Sequence, residues 1–330
     1  MNEATSTADR KSRGRSDLKK LLAKNTAVVA FILVFVVSVA LKGSVFFSTM
    51  NIVNILRNNS IIGIIALAMT LIIITGGIDL SVGSQMVIIG ITVLAVTNAT
   101  GSIVLGALTG MVLGVVLGAG AGSLVAKFKI PAFIVTLGTM GIYRAVSQYL
   151  LNGGGIMIGA DPMDNFVRLA NYDLFGVVPM TIIYWLLACA AIHVLATRTQ
   201  TGRYIYSVGS NEKATLLSGI NTDRVKIVAY SIAGLLVAFA AIIESSRLGS
   251  INSSSSGASY EMDAIAAAVV GGTSMSGGKG TILGTFCGAL TLGVINNMMT
   301  LLGVPPFLVG AVKGAIIICA VLLQKVLGDK

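Results

Sequence analysis

The sequence predicts an all-α polytopic membrane protein of about ten transmembrane helices. Three observations carry this. Only 11% of the 330 residues are charged while 55% are hydrophobic, where a soluble domain carries roughly a quarter charged residues. Mean hydropathy is +0.90. The apolar residues also fall into runs long enough to cross a bilayer, separated by short polar turns rich in Gly, Asn and Lys/Arg.

The elements follow in order. Arg10, Lys11, Arg13, Arg15, Lys19, Lys20 and Lys24 precede the first apolar run. Residues 1–25 therefore read as a disordered basic cytoplasmic tail, a positive-inside flank that touches anionic membrane lipid rather than nucleic acid. The rest, 26–330, reads as one transmembrane domain. The run 26–41 lacks a small-x-small cleavage site and reads as an uncleaved first span. Further spans are expected near 59–75, 80–98, 102–125, 131–150, 177–197, 225–244, 262–275, 281–300 and 307–325. The run 262–275 is short and ends in glycine, which suits a half-helix. Within the fourth span Gly106, Gly110, Gly114, Gly118 and Gly122 recur every fourth residue. They line one helix face and form a seam where a neighbouring backbone can approach closely.

Charge sets the expected topology. With both termini cytoplasmic, Lys127, Lys129, Arg198, Arg203, Lys213, Arg224, Lys226, Lys279, Lys325 and Lys330 lie inside. Only Lys42, Arg57, Arg168 and Arg247 lie outside, together with an acidic loop, 151–176, that holds Asp161, Asp164 and Asp173. That bias is the positive-inside pattern. It makes residues 197–226 a cytoplasmic stretch of about thirty polar residues between two spans, long enough to dock a partner. In it Asn211 can cap a short amphipathic helix, with Glu212 in the first turn, Ala214, Leu216 and Leu217 following, and Gly219 ending it.

Several chemistries are excluded. The stretch GGTSMSGGKG at 271–280 is not a phosphate loop: Thr273 stands where the first Gly is needed, and Gly280 follows Lys279 where a Ser or Thr must hold magnesium. The single histidine, His193, reads as interfacial. Cys189, Cys287 and Cys319 have no metal spacing. No cofactor and no catalytic constellation are expected.

Polar residues at membrane level are candidates for a translocation path. Asp79 and Ser81 begin one helix, and Glu261 and Asp263 begin another, where carboxylates suit the helix dipole. Asn296 and Asn297 offer donors and acceptors deep in the ninth span, for a sugar's hydroxyls or for interhelical bonds. Arg144, Glu244 and Lys313 fall in or near apolar runs, where charges face a cavity or pair; Glu244 can instead snorkel to the interface. The pattern GGxxxSxG occurs at 76–83 and again at 271–278, each time between two apolar runs. Such Gly-interrupted helices at corresponding places mark transport pathways.

Four stretches in order, TGGIDLSVGS at 75–84, GRYIYSVGSNEKATLLSGIN at 202–221, YEMDAIAAAVVGGTSMSGGKGTILGT at 260–285 and INN at 295–297, resemble the membrane permeases of bacterial ABC sugar importers, the ribose permease family in particular. The resemblance covers about residues 47–325. It implies the ABC importer permease fold, a second permease subunit making a homodimer, a separate cytoplasmic ABC ATPase that binds the ATP, and an extracytoplasmic sugar-binding protein. It also implies that Arg203, Gly209, Asn211, Glu212, Ala214 and Gly219 belong to a coupling helix seated on the ATPase. Lys213, and four residues rather than three between Ala214 and Gly219, depart from the importer pattern Glu-Ala-Ala, three residues, Gly. The expected location is the bacterial inner membrane. An ion-coupled carrier, or an ABC permease for a branched-chain amino acid or nucleoside, are the alternatives; the absence of an acid pair within one span argues against the carrier.

Overall fold

The computed structural model describes residues 26–328; the basic segment 1–25, expected as a disordered tail, lies outside the described residues. Helix α1 spans Thr26–Phe46, α2 Thr49–Ile74, α3 Val82–Thr100, α4 Ile103–Lys127 and α5 Ala132–Leu150. Strand β1 (Gly155–Met157), α6 (Ala160–Asn171), β2 (Asp173–Leu174) and β3 (Val178–Pro179) follow. Then come α7 (Met180–Arg198), α8 (Gln200–Ser210), α9 (Glu212–Leu217), α10 (Thr222–Leu248), β4 (Ser250–Asn252), α11 (Tyr260–Val270), α12 (Ile282–Leu301) and α13 (Pro306–Gly328).

Each of the ten expected runs is a helix. Among the described residues, seven helices are long and apolar enough to cross a membrane. Two of the other three differ for identifiable reasons. Helix α5 has 19 residues but carries Thr136, Thr139, Tyr143, Arg144, Ser147 and Gln148. Helix α11 has 11 residues, about 16 Å of rise against a hydrocarbon core of roughly 30 Å, so it is the half-helix the sequence suggested.

Helix α2 is the centre of the bundle. Residues 59–74 are all buried, which its nearly unbroken Ile/Leu/Ala/Met run dictates, since a helix apolar on all sides must be covered on all sides. It packs against α7, α10, α11 and α12. It also starts ten residues earlier than the span expected at 59–75. Arg57, Asn58 and Asn59 read as a polar flank, but each finds a partner inside the helix run. Arg57 donates to Asp173 at 2.8 Å, Asn58 accepts from Arg247 at 2.9 Å, and Asn59 donates to the Ala289 carbonyl at 2.6 Å.

The glycine face of α4 is a packing seam. Gly106 and Gly110 face Thr97 and Val93 of α3, while Gly114, Gly118 and Gly122 face Gly234 and Tyr230 of α10. A Cβ at Gly114 would overlap the Gly234 carbonyl oxygen, and one at Gly234 would overlap that of Gly114. The two backbones are in direct contact, as close packing without a hydrophobic drive requires.

The expected loop 151–176 is folded. Strand β1 pairs antiparallel with β4, Ile156 opposite Ile251, and β2 pairs with β3. Helix α6 between them buries Phe166 and Ala170 and is tied to α10 through Ser246, whose hydroxyl donates to the Phe166 carbonyl at 2.6 Å and accepts from the Ala170 N–H at 3.0 Å. Two of the charges in or near apolar runs, Lys313 and Glu244, are paired. Lys313 lies 2.8 Å from Asp263, joining α13 to α11. Glu244 does not snorkel: it is 3% exposed, 3.1 Å from Arg247, and accepts from the Tyr260 hydroxyl at 3.0 Å.

Candidate functional site

Two places draw the candidate residues together. The first is one end of the bundle, built from α8, α9 and the turns that follow α2, α4 and α11. The stretch expected to hold one short helix holds two. Thr199 caps α8 through its hydroxyl on the Gly202 N–H at 3.1 Å. Asn211 then caps α9, its side-chain oxygen accepting from the Ala214 N–H at 2.9 Å, and Gly219 stops the chain at φ +83°. The cap places Glu212 in the first turn, where a carboxylate suits the positive helix end. Leu216 and Leu217 project outward, 58% and 89% exposed. Arg203, Lys213 and Ala214 are exposed on the same end of the molecule.

Gly209 is the joint. A side chain there would collide with the Ile74 carbonyl at the end of α2. The same carbonyl accepts from the Gly278 N–H at 2.9 Å. Tyr206 adds a bond from its hydroxyl to the Gly280 carbonyl at 2.8 Å; burial pushes its phenol above the ordinary range, so it remains a neutral donor. Glu212 carries the second tie. It lies 2.7 Å from Lys226 of α10 and 4.0 Å from Lys129 in the α4–α5 turn, and Lys129 also pairs with Asp223. Sequence reasoning missed Lys129, Lys226 and Asp223 as parts of this site. Their charge was visible; the pairing across 94 residues of chain was not.

The repeated GGxxxSxG segments lie side by side here, Gly277 against Gly76. Both end a helix alike. Gly76 (φ +84°) and Gly272 (φ +86°) take the left-handed conformation. The next residues, Gly77 and Thr273, donate back to Ile72 and Ala268 at 3.1 and 2.9 Å, the Schellman closure that glycine permits. The structural register is one residue off the sequence match, which places Gly76 against Gly271.

The second place is inside the bundle, where two non-helical segments meet: 75–81, between α2 and α3, and 253–259, between β4 and α11. Asp79 and Ser81 sit in the first, 4% and 1% exposed. Ser81 gives both its N–H (2.8 Å) and its hydroxyl (2.6 Å) to the Asp79 carboxylate. Asp79 therefore precedes α3 and shapes the turn into it. Gly83 and Gly257 join the two segments; a Cβ on either would overlap the other's carbonyl oxygen. Helix α5 serves both: Thr136 donates to the Ile78 carbonyl at 3.1 Å, and Arg144 donates to the Ser253 and Ser256 carbonyls, each at 2.9 Å. Irregular backbone is tolerated at membrane depth only where protein or a water-filled cavity satisfies it, and α5 supplies that satisfaction. The run Ser253–Ser256, four serines in a membrane chain, is the signal that points to this place.

Asn296 and Asn297 lie apart from it. They occupy the last turns of α12, five residues or fewer from its end at Leu301, rather than deep in the span. Asn297 exchanges bonds with Asn51 of α2 at 2.8 and 3.2 Å. Asn296 is half-buried.

With the geometry described, the chain can be set beside known proteins. The family described as "Branched-chain amino acid transport system / permease component" matches residues 51–321. The chain belongs to this permease family. It is 39% identical over 312 residues to the ribose import permease protein RbsC of Escherichia coli (strain K12), covering 92% of this chain and 94% of that protein. It is 43% identical over 305 residues to RbsC of Bacillus subtilis (strain 168), covering 89% and 90%. With the xylose transport system permease protein XylH of Escherichia coli (strain K12) it shares 34% identity over 369 aligned positions, 94% of each chain. No solved structure matches the chain. The permease is thus an all-α, multi-pass membrane protein and a transport component.

Proposed function

We propose that this permease is the transmembrane subunit of an ATP-driven, binding-protein-dependent importer that moves a monosaccharide, ribose or a similar pentose, into the cytoplasm. The observation that carries the reading is the 39–43% identity to ribose import permeases along about nine-tenths of the chain. The geometry supports it: a rigidly capped helix, α9, stands on one end of the bundle with apolar side chains outward and its base tied to two other elements.

In this reading the end that carries α9 faces the cytoplasm, the chain pairs with a second copy, and a separate ABC ATPase receives Leu216, Leu217 and the residues around Arg203, Gly209, Asn211, Glu212, Ala214 and Gly219. ATP is held by that partner, not by this chain. An extracytoplasmic sugar-binding protein docks at the α6 end. Motion of α9 passes through Glu212 to Lys226 on α10 and to Lys129 in the α4–α5 turn. Because the glycine seam holds α10 to α4, those two helices move as a block. ATP drives the change only insofar as it favours one state by differential contacts. Asp79 and Ser81 shape the path wall, and Asn296 and Asn297 stand near its extracytoplasmic mouth.

A mild-detergent pull-down of the tagged permease tests the assembly. The expected result is an ABC ATPase in near-equal amount and a binding protein that takes up a pentose. A permease that emerges alone, with uptake in vesicles following an ion gradient, would replace this reading with a secondary carrier.

A further inference from the structure

We infer that the face formed by α5, the Ser253–Ser256 turn and the first turn of α11 is a hydrogen-bonding station for the transported sugar, with Arg144, Ser255 and Glu261 as its contacting groups; this deepens, and rests on, the importer reading above.

The depth is the first argument. Arg144 lies twelve residues into α5 from Ala132, about 18 Å from the helix start. Glu261 lies in the first turn of α11, ten residues and about 15 Å above the Gly271 turn at the same end. Both groups therefore sit near the middle of a hydrocarbon core of roughly 30 Å.

Their partners are the second argument. Asp263 has a counter-charge in Lys313, Glu244 in Arg247 and Arg57 in Asp173. Asp79, without one, is covered and bonded twice by Ser81. Arg144 bonds the Ser253–Ser256 turn, and Glu261 lies over Gly83, which meets Gly257 next to that turn, yet among the described residues neither forms an ion pair. Arg144 uses only one amino group, Nη1, on the Ser253 and Ser256 carbonyls. Its Nε and Nη2 donate to none of the described residues. The Glu261 carboxylate lies over Gly83, where a Cβ would come within 2.9 Å of Oε2, so the bare glycine leaves it room. Ser255 is exposed and its hydroxyl has no partner among the described residues, while its neighbour Ser254 accepts from Gln148 at 3.4 Å. A guanidinium and a carboxylate that are both half-exposed at this depth face water or a polar cargo, because lipid would force them to pair or to be neutralised.

The chemistry selects the cargo. The face offers donors on Arg144, an acceptor on Glu261 and a hydroxyl that does both, with no net charge. A polyol presents hydroxyls that donate and accept at once and matches this set without a charge of its own. A site of this kind need bind only weakly, since the extracytoplasmic protein captures the sugar first.

The experiment uses the assembled importer, permease with its ATPase and binding protein, in proteoliposomes. Glu261→Gln keeps the shape and removes the charge-assisted acceptor; sugar moved per ATP hydrolysed is expected to fall about tenfold. An unchanged ratio overturns the station. Ser255→Cys, in a chain with Cys189, Cys287 and Cys319 replaced by serine, supplies a second readout that needs no transport. A charged, water-borne methanethiosulfonate reagent is expected to modify it, and protection from modification overturns a wet face. The two readings fail differently. If the wild-type assembly moves a zwitterionic amino acid and no pentose, the sugar reading falls and the station with it. If pentose uptake is robust and either variant departs from its stated result, only the station falls.

Discussion

The Glu212 carboxylate lies 2.7 Å from the Lys226 ammonium, so a six-residue helix on the membrane face is held to the 27-residue helix α10 by one charge pair. Asn211 fixes the orientation of that carboxylate by capping α9. Glu212→Lys brings a third cation beside Lys226 and Lys129. Half-exposed pairs of this sort contribute about 1 kcal/mol or less to folding, so the chain should reach the membrane at normal abundance. Stimulation of ATP hydrolysis by loaded binding protein should nevertheless be lost. Retained stimulation in purified complexes would remove Glu212 from the coupling route.

Gly114 and Gly120 share α4 but not its environment. Gly114 touches the Gly234 backbone, whereas a Cβ at Gly120 meets nothing within 4 Å. Gly114→Leu should therefore destabilise the bundle by about 3 kcal/mol or more, because backbone cannot yield as a side chain can. Gly120→Leu should be near neutral. Thermal unfolding in detergent, read by size-exclusion fluorescence, separates the two; equal melting points would dissolve the seam.

Lys313 and Asp263 form a mostly buried pair, their side chains 16% and 11% exposed. Lys313→Met leaves a carboxylate without its cation and should cost about 3–5 kcal/mol. The double variant Lys313→Met/Asp263→Leu should recover most of that loss. Melting curves of wild type, both singles and the double measure it, and a double as unstable as Lys313→Met would show that the pair is not the reason.

Asn297 bonds reciprocally with Asn51, a contact worth about 1 kcal/mol between membrane helices. Asn297→Leu should lower uptake while the ATPase still binds. Asn51→Leu separates two causes. An equal loss assigns the effect to the interhelical bond, and a smaller one assigns it to the path. Wild-type uptake in Asn297→Leu would take that residue off the path altogether.

Much of this fold was legible because bilayer helices are set by long apolar runs, and all ten runs are helical. The Asn211 cap and the Gly219 stop were legible because capping is local chemistry. Helix α6 was hidden: 12 residues with Asp161, Asp164 and Arg168 look like a polar loop until Phe166 and Ala170 find α10 and α7 to pack on. The start of α2 was hidden by Arg57, Asn58 and Asn59, whose partners Asp173, Arg247 and Ala289 lie more than a hundred residues away. Separation along the chain also concealed the pairing of Lys129 with Asp223, 94 residues apart, and the meeting of Gly83 with Gly257. Spacing along a chain reports what one helix presents, not which helix receives it.

The most direct test of the importer reading is labelled-pentose uptake by proteoliposomes holding this permease and its co-purified ATPase, with binding protein outside and ATP inside. The account predicts accumulation that requires ATP and binding protein together and is indifferent to an imposed ion gradient. Uptake without ATP that follows the gradient, or ATP-driven uptake of an amino acid with none of a pentose, would contradict it.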